Sequence, residues 1–379
     1  MLRRTATIIR RCRYSDTLCN NNPWPGYFDY TFTSVQPIAT KTDDESKRSS
    51  ADPLGPGSGP WVVESPAAHG LNATLLDAAA DEIWQIVDGF WQYRGLKNVS
   101  SRGCLVIAKD GALVYERYNS SGFNQHQNGP NTAPQPWSEA SSQPGWSMTK
   151  TLGALLGGWA VTHGGLDLDK DITQAYGVPS PKGYPVTSRQ IMSQSLGGDS
   201  PGAKWFYDAE GTGWINTMAR VVPAATGRNA SQIWLEELQA PLGLSKDFIW
   251  GGTSPLGGDA SPDSAWAYGS SGTCRDYARI MQLALNKGRW KGVQEPIVSA
   301  DYIEQMTTPQ TKYSPHEAYS NPCYGLLTWL PGRDGRHGPA GKFPGTCLVP
   351  ANSSLSTQKQ DGEPGTSLLC PCPYESVID

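Results

Sequence analysis

Several things are scarce or missing in this chain of 379 residues, and each absence removes a class of function. No stretch of 18 consecutive apolar residues occurs, so no membrane span is expected. Charged residues make up only 17% and the net charge is −4, which leaves no overall attraction for nucleic acid or anionic lipid. The five histidines form no HExxH pattern, which argues against zinc hydrolysis. The eight cysteines contain no CxxC, and Cys370-Pro-Cys372 is too isolated for a metal site; disulfide pairing cannot be read from their spacing. The opening MLRRTATIIRRCRY lacks the apolar core of a signal peptide. It reads as an unstructured extension, with a mitochondrial presequence as the alternative. Five Asn-x-Ser/Thr sequons, against about two expected by chance, favour a secretory history, and the compartment stays open.

What is abundant is glycine (42), proline (30) and tryptophan (14), the composition of a loop-rich, aromatic-rich globular protein. Residues 1–59 are polar and end in ADPLGPGSGP, a disordered leader and linker by composition. Apolar positions Leu75, Leu76, Ala79, Ile83, Trp84, Val87 and Phe90 predict an amphipathic helix over 73–93. Cys104 to Ala108 and Ala112 to Tyr118 read as strands joined by a tight turn at Asp110-Gly111, a pair that tolerates positive φ. Leu152, Leu155, Leu156, Trp159 and Ala160 then mark a strong helix stopped by Gly164. The glycines at 153, 157 and 158 imply close approach of other elements. Further helices are expected at 214–224, 230–240 and 274–287, and residues 333–379 read as an irregular tail.

Ser147 and Lys150 stand three apart at the start of the glycine-rich helix, which puts both on one face. A hydroxyl is a poor nucleophile until a base takes its proton, and a lysine becomes that base when burial disfavours its ammonium. The bare Ser-x-x-Lys spacing says little, because about one instance is expected by chance. A second does occur, Ser356 to Lys359, in a polar stretch with no apolar face. The turn at Gly145-Trp146 and the amphipathic helix behind it single out Ser147.

The segment GWSMTKTLGALLGGWAVTHGGLDLDKDI resembles the active-site helix of serine β-lactamase-related hydrolases and penicillin-binding proteins. The likeness continues through PGAKWFYDAEGTGWINTMARVV, ASQIWLEELQAPLGL, GSSGTCRDYARIMQLALNKGRW and YGLLTWL. It covers residues 60–332 and leans toward the class C, esterase and D-aminopeptidase-like branch. It implies an α+β fold: an antiparallel sheet flanked by helices, a mainly helical subdomain, and C-terminal sheet strands that are incomplete in this chain. It also implies a serine hydrolase acting on a small-molecule ester or amide, with Ser147 as nucleophile, Lys150 as base and Tyr207 assisting proton transfer. No metal or organic cofactor is implied, and the oligomeric state is left open. The family's Tyr-x-Asn motif reads Tyr207-Asp208-Ala209 here, a departure at Ala209. Its Lys/His-x-Gly strand has His337-Gly338 as the one candidate. These two departures keep a catalytically impaired binding or scaffold protein as the alternative.

Trp146, Trp205 and Trp266 are candidate apolar walls for the substrate, or else ordinary core. Gly198-Asp199-Ser200-Pro201-Gly202 matches a nucleophile elbow in form only. Pro201 has no N–H to donate to an oxyanion, so the match is read as a turn.

Overall fold

The first hairpin forms where a turn pair interrupts two apolar runs. In this computed structural model Asp110 and Gly111 take φ of 53° and 80°, so β1 (Cys104–Lys109) folds back on β2 (Ala112–Tyr118). The structure describes residues 51–81, 84, 104–118, 136–145, 147–197, 205–208, 211–251, 263, 266–308, 310, 324–328, 347–349 and 366–370. Among these, β1 and β2 belong to a four-stranded antiparallel sheet of order β2-β1-β6-β5, with β5 at Cys347–Val349 and β6 at Thr366–Cys370. β6 lies beside β1 with Val106 opposite Leu369, and β5 pairs with β6 with Cys347 opposite Cys370. A short ribbon pairs β3 (Ser142–Pro144) with β4 (Ser271–Thr273).

β1 is buried from Cys104 to Ala108, because both faces of the sheet are covered. One face carries Cys104, Val106 and Ala108 against Cys274 and Ala278 of a helix at Cys274–Leu285. The other carries Ile107, Ala112 and Val114 against Leu71 and Leu76, at the start of a helical stretch over 73–81. A disulfide joins Cys104 to Cys274 at a Cα–Cα distance of 6.5 Å and ties strand to helix.

The helical subdomain is built around α1 (Met148–His163), buried from Met148 through Ala160. Burial of Leu152, Leu155, Leu156 and Trp159 contributes about 2 kcal/mol each. That offsets the loss of up to about 1 kcal/mol at each interior glycine. The glycines are where neighbours come closest. A Cβ on Gly153 would lie 2.9 Å from the Trp266 ring, and one on Gly158 would lie 2.6 Å from Tyr302. Around α1 pack α2 (Ile172–Tyr176), α3 (Ser188–Met192), α4 (Met218–Thr226) and α5 (Ala230–Ile233), the last continuing as a π-helical stretch from Trp234 to Gln239. α6 (Cys274–Leu285) and α7 (Ala300–Met306) pack into the same core, and the π-helical stretch runs on into a short helical turn at Ala240–Leu242. The antiparallel sheet, its flanking helices and the helical subdomain agree with the expected α+β architecture, and the sheet is not closed.

The expected boundaries are corrected at two places. The 333–379 tail is not wholly irregular, since it supplies β5 and β6; their pairing to β1 comes from distant sequence that no local pattern announces. The 1–59 leader is structured from 51, because the buried Arg279 guanidinium gathers the carbonyls of Gly57 (2.9 Å), Gly59 (2.6 Å) and Leu242 (2.7 Å). The elbow-like stretch 198–202, the second Ser356–Lys359 pair, Trp146, Ala209 and His337-Gly338 lie outside the described residues.

Candidate functional site

Ser147 is the N-cap of α1. Its backbone is already helical (φ −67°, ψ −6°), so its side chain makes no capping bond and its hydroxyl is left for another partner. One turn on, the Lys150 ammonium reaches back to 3.5 Å from Ser147 Oγ, a long contact. Ser147 is half-buried, whereas Lys150 is only 1% exposed. The amine also donates to the Ala267 carbonyl at 3.1 Å. It sits 4.9 Å from the centre of the Tyr207 ring, within cation–π range. Burial is the main influence on its proton affinity and lowers its pKa to about 7; the negative charge of Asp208 acts in the opposite sense. The helix thus holds a hydroxyl beside an amine that is partly neutral near pH 7.

The chain before Ser147 is fixed from the β4 side. The Gly145 N–H donates to the Ser270 carbonyl at 2.6 Å, and the Thr149 hydroxyl donates to Ser270 Oγ at 2.8 Å. The Ser270 N–H donates back to Thr149 Oγ1 at 3.0 Å, and Ser270 Oγ lies 3.4 Å from the Tyr277 hydroxyl. A Cβ on Gly145 would run into Ser270 Oγ and the Tyr277 hydroxyl, so glycine is required there for space.

Tyr207 arrives on residues 205–208. Its ring meets Tyr324 edge-on at 6.4 Å and Trp205 at 6.2 Å, and Trp205 meets Tyr324 at 5.6 Å. Of the residues singled out from sequence, Ser147, Lys150 and Tyr207 therefore come together, with Trp205 beside Tyr207. Trp266 does not join them at a surface. It has no exposure, and its ring packs on α1 at Gly153 and edge-on to Trp250 at 5.7 Å.

Three residues had no assigned role in the sequence reading. Asp208 is buried, and its carboxylate accepts the N–H groups of Gly213 (3.2 Å), Trp214 (2.8 Å) and Ile215 (3.0 Å). Gln194 and Tyr324 are fully buried next to it. The one available signal was the acidic residue directly after Tyr207; nothing in the sequence marked Gln194. Among the described residues, no group of three or more His, Cys, Asp or Glu is placed to hold a metal ion. No helix among them is long and apolar enough to cross a membrane.

A family model described as Beta-lactamase matches residues 85–341. Among solved structures, the chain is similar to a penicillin-binding protein homologue from Caulobacter crescentus, with 14% identity and a TM-score of 0.54 over 83% of this chain and 93% of that one. It is also similar to EstCE1, a hydrolase with promiscuous acyltransferase activity, with 15% identity and a TM-score of 0.50 over 78% and 93%. At these identities the structures speak for the shared fold. No curated protein matches.

Proposed function

The chain belongs to the beta-lactamase family, and on that premise we propose that it is a serine hydrolase cleaving an ester or amide through an acyl-enzyme on Ser147. The observation that carries this reading is the dry Lys150 amine 3.5 Å from Ser147 Oγ. In the proposed cycle the neutral Lys150 amine takes the Ser147 hydroxyl proton as Oγ bonds to the substrate carbonyl carbon. The carbonyl oxygen becomes an oxyanion that meets the Ser147 N–H, at the positive end of α1. The intermediate then collapses, the bond to the leaving group breaks, and that group receives a proton by way of Tyr207. Water, or an acceptor alcohol or amine, attacks the acyl ester, gives its proton back through the same groups and frees Ser147. Every proton moved in this cycle has a donor and an acceptor among Ser147, Lys150, Tyr207, substrate and water.

Trp205 and Tyr207 offer aromatic surface to an acyl or aryl group, and the preference for esters over β-lactams follows from the resemblance to the esterase-like branch of the family. Trp146 remains a candidate wall from its place in the sequence, whereas Trp266 acts from behind, by packing α1. A second reading, a binding or scaffold protein on the same fold, is favoured by alanine at position 209, where the family pattern has asparagine.

The deciding experiment is covalent labelling with a serine-reactive fluorophosphonate, followed by turnover of a short-chain aryl ester, a β-lactam and a D-alanyl amide. Labelling that disappears in Ser147→Ala, with the ester turned over fastest, is expected. No labelling of the folded protein selects the binding reading, and faster β-lactam than ester hydrolysis overturns the ester preference.

A further inference from the structure

The Tyr207 ring lies 4.9 Å from the Lys150 amine, and its place there depends on how the 205–208 segment is held. That segment is held by Gln194, two residues beyond the end of α3. Gln194 is fully buried, and its backbone sits at φ 60°, a left-handed conformation that a residue with a Cβ seldom adopts. That geometry turns the chain so that Gln194 grips the 205–208 segment twice. Its backbone carbonyl accepts the Phe206 N–H at 3.0 Å, and its side-chain oxygen accepts the Asp208 N–H at 2.5 Å. These two bonds flank Tyr207 on both sides.

The orientation of the carboxamide follows from chemistry. A backbone N–H can only donate, so the side-chain oxygen must face Asp208 and the nitrogen must face the other way. There it donates to the Tyr324 hydroxyl at 2.5 Å. Tyr324 in turn presents its ring edge-on to Tyr207 (82° between planes) and to Trp205. One amide therefore fixes the backbone that carries Tyr207 and the aromatic ring that packs against it. The Asp208 carboxylate closes the far side by taking the three N–H groups of 213–215.

We infer that Gln194 is a positioning residue of the site: its carboxamide, bonded to the Asp208 N–H and the Tyr324 hydroxyl, fixes the Tyr207 ring beside the Lys150 amine. The kinetic part of this inference rests on the serine-hydrolase reading; the structural part does not. Loss of the amide leaves Lys150 and Ser147 in place and loosens the segment that carries Tyr207.

The test uses the full chain labelled with 3-fluorotyrosine, the Tyr207 fluorine resonance being assigned by its disappearance in Tyr207→Phe. Gln194→Met removes both side-chain bonds, and Tyr324→Phe removes only the outer one. Ile280→Val, a small buried truncation in α6, serves as a control for general loosening. The Tyr207 resonance is expected to move or broaden in Gln194→Met and, to a lesser degree, in Tyr324→Phe, and to stay put in Ile280→Val. In ester turnover, kcat should fall at least tenfold in Gln194→Met and by more than KM rises, and the double variant should be no worse than Gln194→Met alone, as expected of residues acting in one chain. If Gln194→Met does not fold, Tyr324→Phe carries the test. A Tyr207 resonance unmoved in the folded variants overturns the inference whether or not the protein hydrolyses anything. Absence of Ser147 labelling together with a moved resonance overturns only the hydrolase reading.

Discussion

Replacing Lys150 with methionine keeps most of the side-chain volume and deletes the atom that titrates, which makes the proton affinity of this one residue measurable through stability. An ordinary lysine holds its proton to about 10.5, whereas the buried Lys150 releases it at about 7. In the window between, the unfolded chain binds a proton at this site that the folded chain does not, so stability rises with pH by about 1.4 kcal/mol per unit. Below 7 both states are protonated and the slope vanishes; above 10.5 neither is, and the contribution is fully recovered. Between about pH 7.5 and about pH 9 the wild type should therefore gain about 2 kcal/mol on Lys150→Met. The assay is urea unfolding of both proteins at both pH values; titrations at other sites are common to the two and cancel. In the same protein the acid limb of kcat/KM for an aryl ester should fall near 7. A stability gap that changes by less than about 0.5 kcal/mol across the window would mean that Lys150 keeps its proton throughout, and Lys150 could not then be the base.

Two further outcomes are expected. Gly145→Ala pushes a methyl group into Ser270 Oγ and the Tyr277 hydroxyl; it should cost about 1–3 kcal/mol and slow serine-probe labelling at least about tenfold, and a wild-type labelling rate would show that Ser147 does not depend on this turn. Cys104→Ser/Cys274→Ser opens a loop whose ends are 170 residues apart, so urea unfolding should show a loss of up to about 5 kcal/mol on the chain-entropy model, and a loss below about 1 kcal/mol would show that the linkage does not restrict the unfolded chain.

Local features of this fold were legible and distant pairings were not. The Asp110-Gly111 turn declares itself because two adjacent residues fix its conformation. α1 declares itself because the apolar spacing from Leu152 to Ala160 is a property of one short segment. β6 carries no such signal: its five residues, Thr366 to Cys370, become a strand only because β1 and β5 lie on either side of it. The 51–59 stretch reads as linker from its Pro, Gly and Ser content, yet Arg279 anchors it through backbone carbonyls, which have no side-chain signature at all. The site divides the same way. Ser147 and Lys150 share a helical turn and were readable as a pair. Gln194 meets partners 14 and 130 residues away through a backbone conformation that its side chain does not advertise. Trp266 shows the converse limit, since a tryptophan on a cleft wall and one behind the helix look alike in sequence, and its complete burial decides for the latter.

The position of Asp208 explains how a buried lysine can have a carboxylate near it and still surrender its proton close to neutrality. A carboxylate free to pair with the ammonium would hold it charged, because an ion pair in a dry site strongly favours the protonated amine. Asp208 is engaged elsewhere: its two oxygens accept the N–H groups of Gly213, Trp214 and Ile215. Its pull on Lys150 is felt at a distance and remains smaller than the effect of burial. The same three bonds hold the residue next to Tyr207. One aspartate thus anchors the segment that carries Tyr207 and has its oxygens engaged by those N–H groups, and burial outweighs its pull on the amine beside Ser147.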